Sequence, residues 1–533
     1  MSPRARAHGS AGGGDEATSL RIRRIGFVLG PLLFCLLLLW PGMPLDAAQR
    51  RVAAVTAWTA IWWTTAALPI GMTSLLPAVL LPLLGVMDAR AVAPLYMHDL
   101  VLLFLGAFVV ALGLERWGVH KRMALAIIAR VGTRPRQLVL GFMVASAVLS
   151  FFINNTSTTL LMLPIGTACI ASLSLGAGKQ QDGESSAGGN AFAMALLLGM
   201  AYSASVGGVG TPVGTTPNQV FLGQFQTKYP DAPEISFSQW AISFVPLVAI
   251  YLPLGWLVLT RLALRVPAGS ATGSDTIHQQ REALGAMSRP EKAMACVFGL
   301  TALLWVTRAN LDLGFFVLPG WGELFGTLNG RSLVSDATVA VGMAIVCFLI
   351  PAGKGQRLMD WETARRMPWE ILLLIGGGFC IAGAFKASGL DQRVGEALGP
   401  HLASLPEWAI VFLVVALMAA LTEITSNTAT TAVLLPVLGE AAVSAGISPL
   451  FTMLPATIAA SVAFMLPVAT PPNAVVFSSR LVPASSMARV GLWMNLLLIL
   501  LVSLVFQLWV RPYLGIGAGL EDWATQGIPA VDR

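Results

Sequence analysis

Apolar residues along this chain gather into long uninterrupted stretches, at 25–40, 52–70, 99–114, 237–260, 335–350 and 490–510. Each approaches the ~20 residues a helix needs to span a bilayer. Lipid satisfies no backbone polar group, so such stretches are predicted to be helices, whose hydrogen bonds close internally. Polar connections between them are short except at 177–190, 266–290 and 308–334. The expected fold class is an all-α polytopic membrane protein of about eleven transmembrane helices, its chain divided near 266–290.

Composition agrees with that setting. Of 533 residues, 56% are hydrophobic and 11% charged, with a mean hydropathy of +0.74, where a soluble domain carries about 25% charge. The net charge of +6 would raise nucleic acid as a partner only if the basic residues formed a stripe; they are scattered between spans instead. The positive-inside rule accounts for them. With eleven spans and a cytoplasmic N-terminus, favoured by Arg4, Arg6, Arg21, Arg23 and Arg24, the cytoplasmic segments hold 23 of the 33 Lys and Arg. They include Lys179, Lys354, Arg480 and Arg489, while Lys228, Arg308, Lys386 and Arg533 fall on the far side, and the C-terminus lies outside. Residues 1–24 read as a cytoplasmic tail before an uncleaved first span rather than as the charged start of a signal peptide. Cys35, Cys169, Cys296, Cys347 and Cys380 form no CxxC pair and read as small core residues.

Three segment pairs recur in the same order: Leu102–Gly118 with Leu373–Gly389, Ile153–Ile165 (INNTSTTLLMLPI) with Thr425–Val437 (TSNTATTAVLLPV), and Gly214–Val220 (GTTPNQV) with Ala469–Val475 (ATPPNAV). The chain therefore contains a duplicated unit. In the topology above the two copies enter from opposite sides, which makes them inverted repeats. Such repeats bring broken helices together at the membrane midplane, where free helix ends and unwound carbonyls bind substrate and coupling ions.

Residues 137–178 carry no charge, yet Ser150, Asn154, Asn155, Thr156, Ser157, Thr158 and Thr159 crowd their middle. Thr422, Thr425, Ser426, Asn427 and Thr428 repeat the arrangement. Asn carbonyls and hydroxyls are neutral oxygen ligands for a hard cation, and amides donate to an anion. Hairpin tips built this way hold Na⁺ and a carboxylate side by side. Proline removes an amide and disfavours helix before it, which places Thr215–Asn218 and Thr470–Asn473 in unwound chain with free carbonyls. Ser and Thr in membrane helices also bond back to carbonyls one turn earlier. The Asn residues, recurring beside a proline-broken partner, read as ligands.

These motifs, with AYSASVGGVGTPVGTTPN at 201–218 and ASVAFMLPVATPPNAVVF at 460–477, resemble the divalent anion:sodium symporter family, the Na⁺-coupled di- and tricarboxylate carriers, over roughly residues 25–512. The resemblance implies an elevator-type homodimer with scaffold and transport domains and two re-entrant hairpins. It divides the chain into a tail (1–24), scaffold helices (25–98), a first repeat of arm, inner hairpin and broken helix (99–265), linker and scaffold helices (266–368), a second repeat with the outer hairpin (369–512) and a C-terminal tail (513–533). It places one Na⁺ on Ser150, Asn154, Asn155 and Gly214, and another on Thr422, Thr425, Asn427 and Ala469. The carboxylates of a succinate-like anion meet Asn155, Thr156, Thr215, Ser426, Asn427, Thr428, Thr470 and Pro471. Asn154 departs from the family's usual Ser-Asn-Thr, altering the geometry of the first Na⁺ site.

Other residues read more simply. Glu423 is a brace inside the second hairpin, with a proton or Na⁺ relay as the alternative; its counterpart in the first repeat is Phe151. Arg116 and Lys386 are interface anchors, Trp62 and Trp63 belong to an aromatic belt or to scaffold packing, and Gly376, Gly377 and Gly378 allow close helix packing. His8, His98, His120, His278 and His401 lie in the tail or near span ends without HExxH or GxSxG, so a membrane-embedded enzyme lacks its chemistry. A channel is the other rival, and broken helices in inverted repeats favour alternating access over it. Succinate, malate, fumarate, citrate and sulfate, and symport as against exchange, stay open.

Overall fold

The computed structural model describes residues 12–40, 42–177, 183–268, 274–312, 316–328, 331–353, 355–517 and 519–525. Arg4, Arg6, His8, Lys179, Lys354 and Arg533, used in the reading above, lie outside them. Among the described residues the chain is mostly helical, with three small antiparallel hairpins between 311 and 357. Among the described residues six helices are long and apolar enough to cross a membrane: Leu20–Leu39, Ala89–Arg116, Gly189–Val209, Phe237–Ala263, Trp369–Ser388 and Ala484–Tyr513. Shorter apolar helices include Pro135–Ser150, Glu407–Thr422 and Leu450–Ala460.

The duplication extends further than its motifs. The first copy runs through the arm Asp99–Arg116, Val119–Val131, the hairpin Pro135–Ser150 and Asn155–Ala177, Gly183–Val209 interrupted before Thr216–Lys228, and Phe237–Leu257 closing in the π-helix Val258–Ala263. The second runs through Trp369–Ser388, Leu390–Ala403, the hairpin Glu407–Thr422 and Asn427–Ser444, Leu450–Ala460 interrupted before Pro471–Ser478, and Ala484–Val505 closing in the π-helix Phe506–Val510. Element order and interruptions match one for one.

Some expectations need correcting. The apolar stretch 52–70 is not one helix: Ala47–Thr65 ends at Ala66 in the left-handed conformation (φ 48), and a new turn starts after Pro69. Lys228 and Arg308, assigned above to the far side, are buried in ion pairs. Lys228 Nζ lies 2.8 Å from both Asp391 Oδ2 and Glu440 Oε2, all three side chains nearly buried. Arg308 is buried against Asp336, and against Glu234 at 2.6 Å. Apolar surroundings leave a buried charge no alternative to pairing, since its unpaired desolvation costs several kcal/mol. Lys228 also shows how the copies lock together. Pro436 deprives the Ala432 carbonyl of its helical donor, and Gln224 Nε2, one turn from Lys228, supplies one at 2.7 Å. Lys386, read as an anchor, donates to the Lys228 carbonyl at 3.0 Å, and Arg116 pairs with Asp360 at 2.6 Å.

Of the cysteines read as core residues, Cys169, Cys347 and Cys380 are buried, but Cys35 and Cys296 are exposed. Trp62 and Trp63 are buried, donating to the Gly26 carbonyl at 3.0 Å and to Ser74 Oγ at 2.9 Å. A Cβ on Gly377 would meet the Ser74 carbonyl oxygen at 2.6 Å, so side chains are excluded there.

Candidate functional site

Both hairpin turns and both helix interruptions open onto one cavity of about 360 Å³. Its lining includes Asn154, Asn155, Thr156, Gly214 and Thr215 from the first copy and Ser426, Asn427, Thr428, Ala469, Thr470 and Pro471 from the second. Of the residues assigned from sequence, only Ser150, Thr422 and Thr425 stand behind the lining. Ser150 and Thr422 are fully buried. The Thr422 hydroxyl donates to the Met418 carbonyl at 2.8 Å and that of Thr425 to the Leu421 carbonyl at 2.6 Å. Thr159 and Thr431 bond back in the same way, to Asn155 and Asn427. A hydroxyl keeps lone pairs after donating once, so back-bonding and ligation do not exclude each other.

The interruptions differ from the expectation in one respect. Thr216–Asn218 and Pro471–Asn473 are not unwound; they form first helical turns, and the non-helical chain is the stretch just before them, 210–215 and 461–470. Proline suits a first turn because the amide it lacks has no intrahelical partner there anyway. These segments therefore present helix N-termini to the cavity rather than carbonyls. Carbonyls released upstream are gathered by two equivalent amides. Asn218 Nδ2 donates to the Gly208 and Thr211 oxygens at 3.0 and 2.8 Å, and Asn473 Nδ2 to the Ala463 and Leu466 oxygens at 3.0 Å each. Both side chains are fully buried.

Polar atoms near the tips lack protein partners. Ser150 Oγ, Asn155 Oδ1 and Asn427 Oδ1 are buried without a hydrogen bond, a costly state in a packed interior. Around Asn155 the oxygens crowd: a Cβ on Gly208 would fall 2.7 Å from Asn155 Oδ1 and 3.0 Å from the Gly214 oxygen, and one on Gly214 would fall 2.7 Å from the Ser150 carbonyl. Only glycine fits between those oxygens. Neutral oxygens converging in this way suit a small hard cation. The helices starting at Asn155, Thr216, Asn427 and Pro471 meantime turn four N-termini to the cavity, a field that favours an anion. No Lys or Arg among the described residues lines it.

Glu423 is a brace, but toward another element. Its carboxylate accepts the N–H groups of Phe464, Met465 and Leu466 at 2.8 to 3.1 Å and Asn495 Nδ2 at 2.6 Å. It thus holds the non-helical stretch 461–470 to the hairpin tip. Sequence reading missed Ser205, Ser461, Gln219 and Glu370 in the lining, along with an apolar wall of Ile70, Phe108, Ile371 and Leu374. The Ala-Ser-Val triplets at 204–206 and 460–462 were the available signal for the two serines.

Residues 25–516 match the family described as the sodium:sulfate symporter transmembrane region. The chain is 40% identical over 498 residues to the sodium-dependent dicarboxylate transporter SdcS of Staphylococcus saprophyticus, covering 92% of each chain. It is 39% identical to the SdcS of Staphylococcus aureus strain NCTC 8325, with the same coverage. In fold it is similar to the YdaH transporter of Alcanivorax borkumensis (TM-score 0.54, 17% identity, 80% of this chain and 87% of that one). It is also similar to MtrF of Neisseria gonorrhoeae, described among antimetabolite efflux pumps (TM-score 0.55, 12% identity, 92% and 97%).

Proposed function

The chain belongs to the sodium:sulfate symporter family, and from that membership we propose that it is a secondary active transporter carrying small dianions, C4-dicarboxylates such as succinate, malate and fumarate, by symport with Na⁺. The observation that carries this reading is the cavity where both Asn-Thr tips and both helix interruptions meet without a cationic side chain. An anion there depends on helix N-termini and on bound Na⁺ for its countercharge. Na⁺ and substrate affinities are then coupled, each raising the other. The volume of about 360 Å³ leaves room for a four-carbon chain, which favours a dicarboxylate over sulfate, and the 40% identical relative is named for dicarboxylates.

In this reading Ser150, Asn154, Asn155 and Gly214 hold one Na⁺, and Thr422, Thr425, Asn427 and Ala469 a second. Asn155, Thr156, Thr215, Ser426, Asn427, Thr428, Thr470 and Pro471 meet the substrate. Partnerless oxygens at Ser150, Asn155 and Asn427 support the cation sites. The protein works as an inner-membrane homodimer with its N-terminus cytoplasmic and C-terminus outside, about eleven spans, inverted repeats at 99–265 and 369–512, and an elevator movement of the tips against the scaffold. Uptake of labelled succinate, malate, citrate and sulfate into proteoliposomes, with and without an inward Na⁺ gradient, tests it. Succinate uptake at least several-fold faster with the gradient is expected; equal rates with and without Na⁺ would replace symport by exchange.

A further inference from the structure

Every side chain lining the cavity is neutral except one, and that one is acidic. Glu370 stands in the first turn of Trp369–Ser388, on the face that also brings Ile371 and Leu374 to the cavity wall. Its stem is held in place: a Cβ on Gly71 would lie 3.3 Å from Glu370 Cγ, so the turn Ile70–Thr73 packs directly on it. Its carboxylate has no hydrogen bond or ion pair among the described residues, and the residue is exposed. An acid in a first turn ordinarily complements the helix dipole. Asp99, the matching residue of the first copy, does this by accepting the Leu100 N–H at 2.9 Å, and it does not line the cavity. Only the second copy places its acid in front of the anion site.

We propose that Glu370 sets the charge limit of the transported anion, disfavouring trianions relative to dianions. The proposal rests on the carrier reading above and names the substrate class of that same site. A like charge facing the site repels a ligand in proportion to the ligand's own charge, so a tricarboxylate meets one more unit of repulsion than succinate. Across a water-filled cavity that extra unit corresponds to roughly a two- to tenfold loss of relative affinity. Opposite the neutral tips, the acid separates substrates whose carboxylates the tips would bind alike.

The test uses the full chain in proteoliposomes and reads Na⁺-driven uptake of labelled succinate in competition with unlabelled citrate at neutral pH. Glu370→Gln should raise the preference for citrate over succinate about two- to tenfold, whereas Glu370→Asp, which keeps the charge, should stay near the unaltered protein. In the unaltered protein, citrate should compete better as the medium is acidified through its third ionisation, and Glu370→Gln should flatten that profile. An unchanged preference in Glu370→Gln, a Glu370→Asp that behaves like Glu370→Gln, or a flat profile in the unaltered protein overturns the proposal. That last measurement needs no variant to fold. Absence of Na⁺-stimulated succinate uptake by the unaltered protein would instead remove the carrier reading itself.

Discussion

Asn154 and Ser426 occupy the same place in the two hairpin tips and cap their helices differently. Asn154 Oδ1 accepts the Thr156 N–H at 2.8 Å, while Ser426 Oγ accepts the Ala429 N–H at 3.5 Å, one residue further along its helix. The cap therefore uses the amide of Thr156 but not that of Thr428. At the interruptions the imbalance reverses. Thr470 Oγ1 accepts the Asn473 N–H at 3.4 Å, whereas Thr215 makes no side-chain cap. Bracing differs too: Glu423 fastens the second tip to 464–466, and at the first tip the Thr211 hydroxyl donates to the Phe151 carbonyl. Duplication thus preserved the positions of the groups and redistributed which of them are already satisfied. The donors left over are the Thr428 amide in one copy and the Thr215 hydroxyl in the other, both at the cavity.

Asn155 and Asn427 are where the copies should behave alike. Each has a buried Oδ1 without a partner, and each lines the cavity. Asn155→Ala and Asn427→Ala should each abolish Na⁺-driven succinate uptake, a loss of about a hundredfold or more, while the protein still inserts and elutes as the native species. The estimate combines a lost cation ligand with a lost anion donor, each worth on the order of 1.5–3 kcal/mol. Full uptake by either variant would break the equivalence of the tips.

The next effect should be one-sided. Replacing Glu423 by Ala strands three N–H groups, one buried and two part-buried, and the buried Asn495 amide, a cost on the order of 3–5 kcal/mol for breaking a largely buried charged network. Phe151→Ala leaves the Thr211 bond to the main-chain carbonyl in place, so it should cost only about 1–2 kcal/mol from its half-buried ring. Thermal unfolding in detergent compares the two; equal losses would mean that the tips are braced alike after all.

Asn218 and Asn473 restore the symmetry. Each amide ties two released carbonyls across the same seven- and ten-residue spans. Substitution of either by Ala should cost on the order of 2–4 kcal/mol, and the two costs should agree within about 1 kcal/mol. A large difference, read from the same unfolding midpoints, would show that one interruption is held mainly by other contacts.

What could be read from the chain alone follows from locality. Spans, tips and interruptions are local patterns, and a duplicated pattern is legible twice, which is why all but three of the residues assigned from the motifs line the cavity. The buried pairing of Lys228 and Arg308 went unread because burial is a tertiary property. Asp391 and Glu440 lie 163 and 212 positions from Lys228, and nothing nearby marks the lysine as an inward one. Glu423 stood out as an isolated acid, but its partners at 464–466 are main-chain groups, which carry no signature in the side-chain sequence. Thr215–Asn218 and Thr470–Asn473 were read as unwound because proline breaks helices. The same residue also begins them, and only the chain upstream decides which applies.

The smallest expected effect lies at Asn154. Serine there is too short to reach the Thr156 N–H as Asn does and should cap as Ser426 does, one residue further on. Asn154→Ser then releases the Thr156 amide while retaining a good N-cap, so stability should change by less than about 1 kcal/mol. An added amide donor facing the anion should lower the half-saturating succinate concentration about two- to fivefold at saturating Na⁺, the modest net value of one hydrogen bond. A shift in Na⁺ dependence is expected beside it if the Asn154 oxygen ligates the cation as proposed; a shift in Na⁺ dependence with succinate affinity unchanged would mean that the tips differ in their ion rather than in their donors. Measuring both dependences on the one variant separates these cases, because releasing an amide acts on the anion, whereas replacing the Asn carbonyl by a hydroxyl changes a cation ligand.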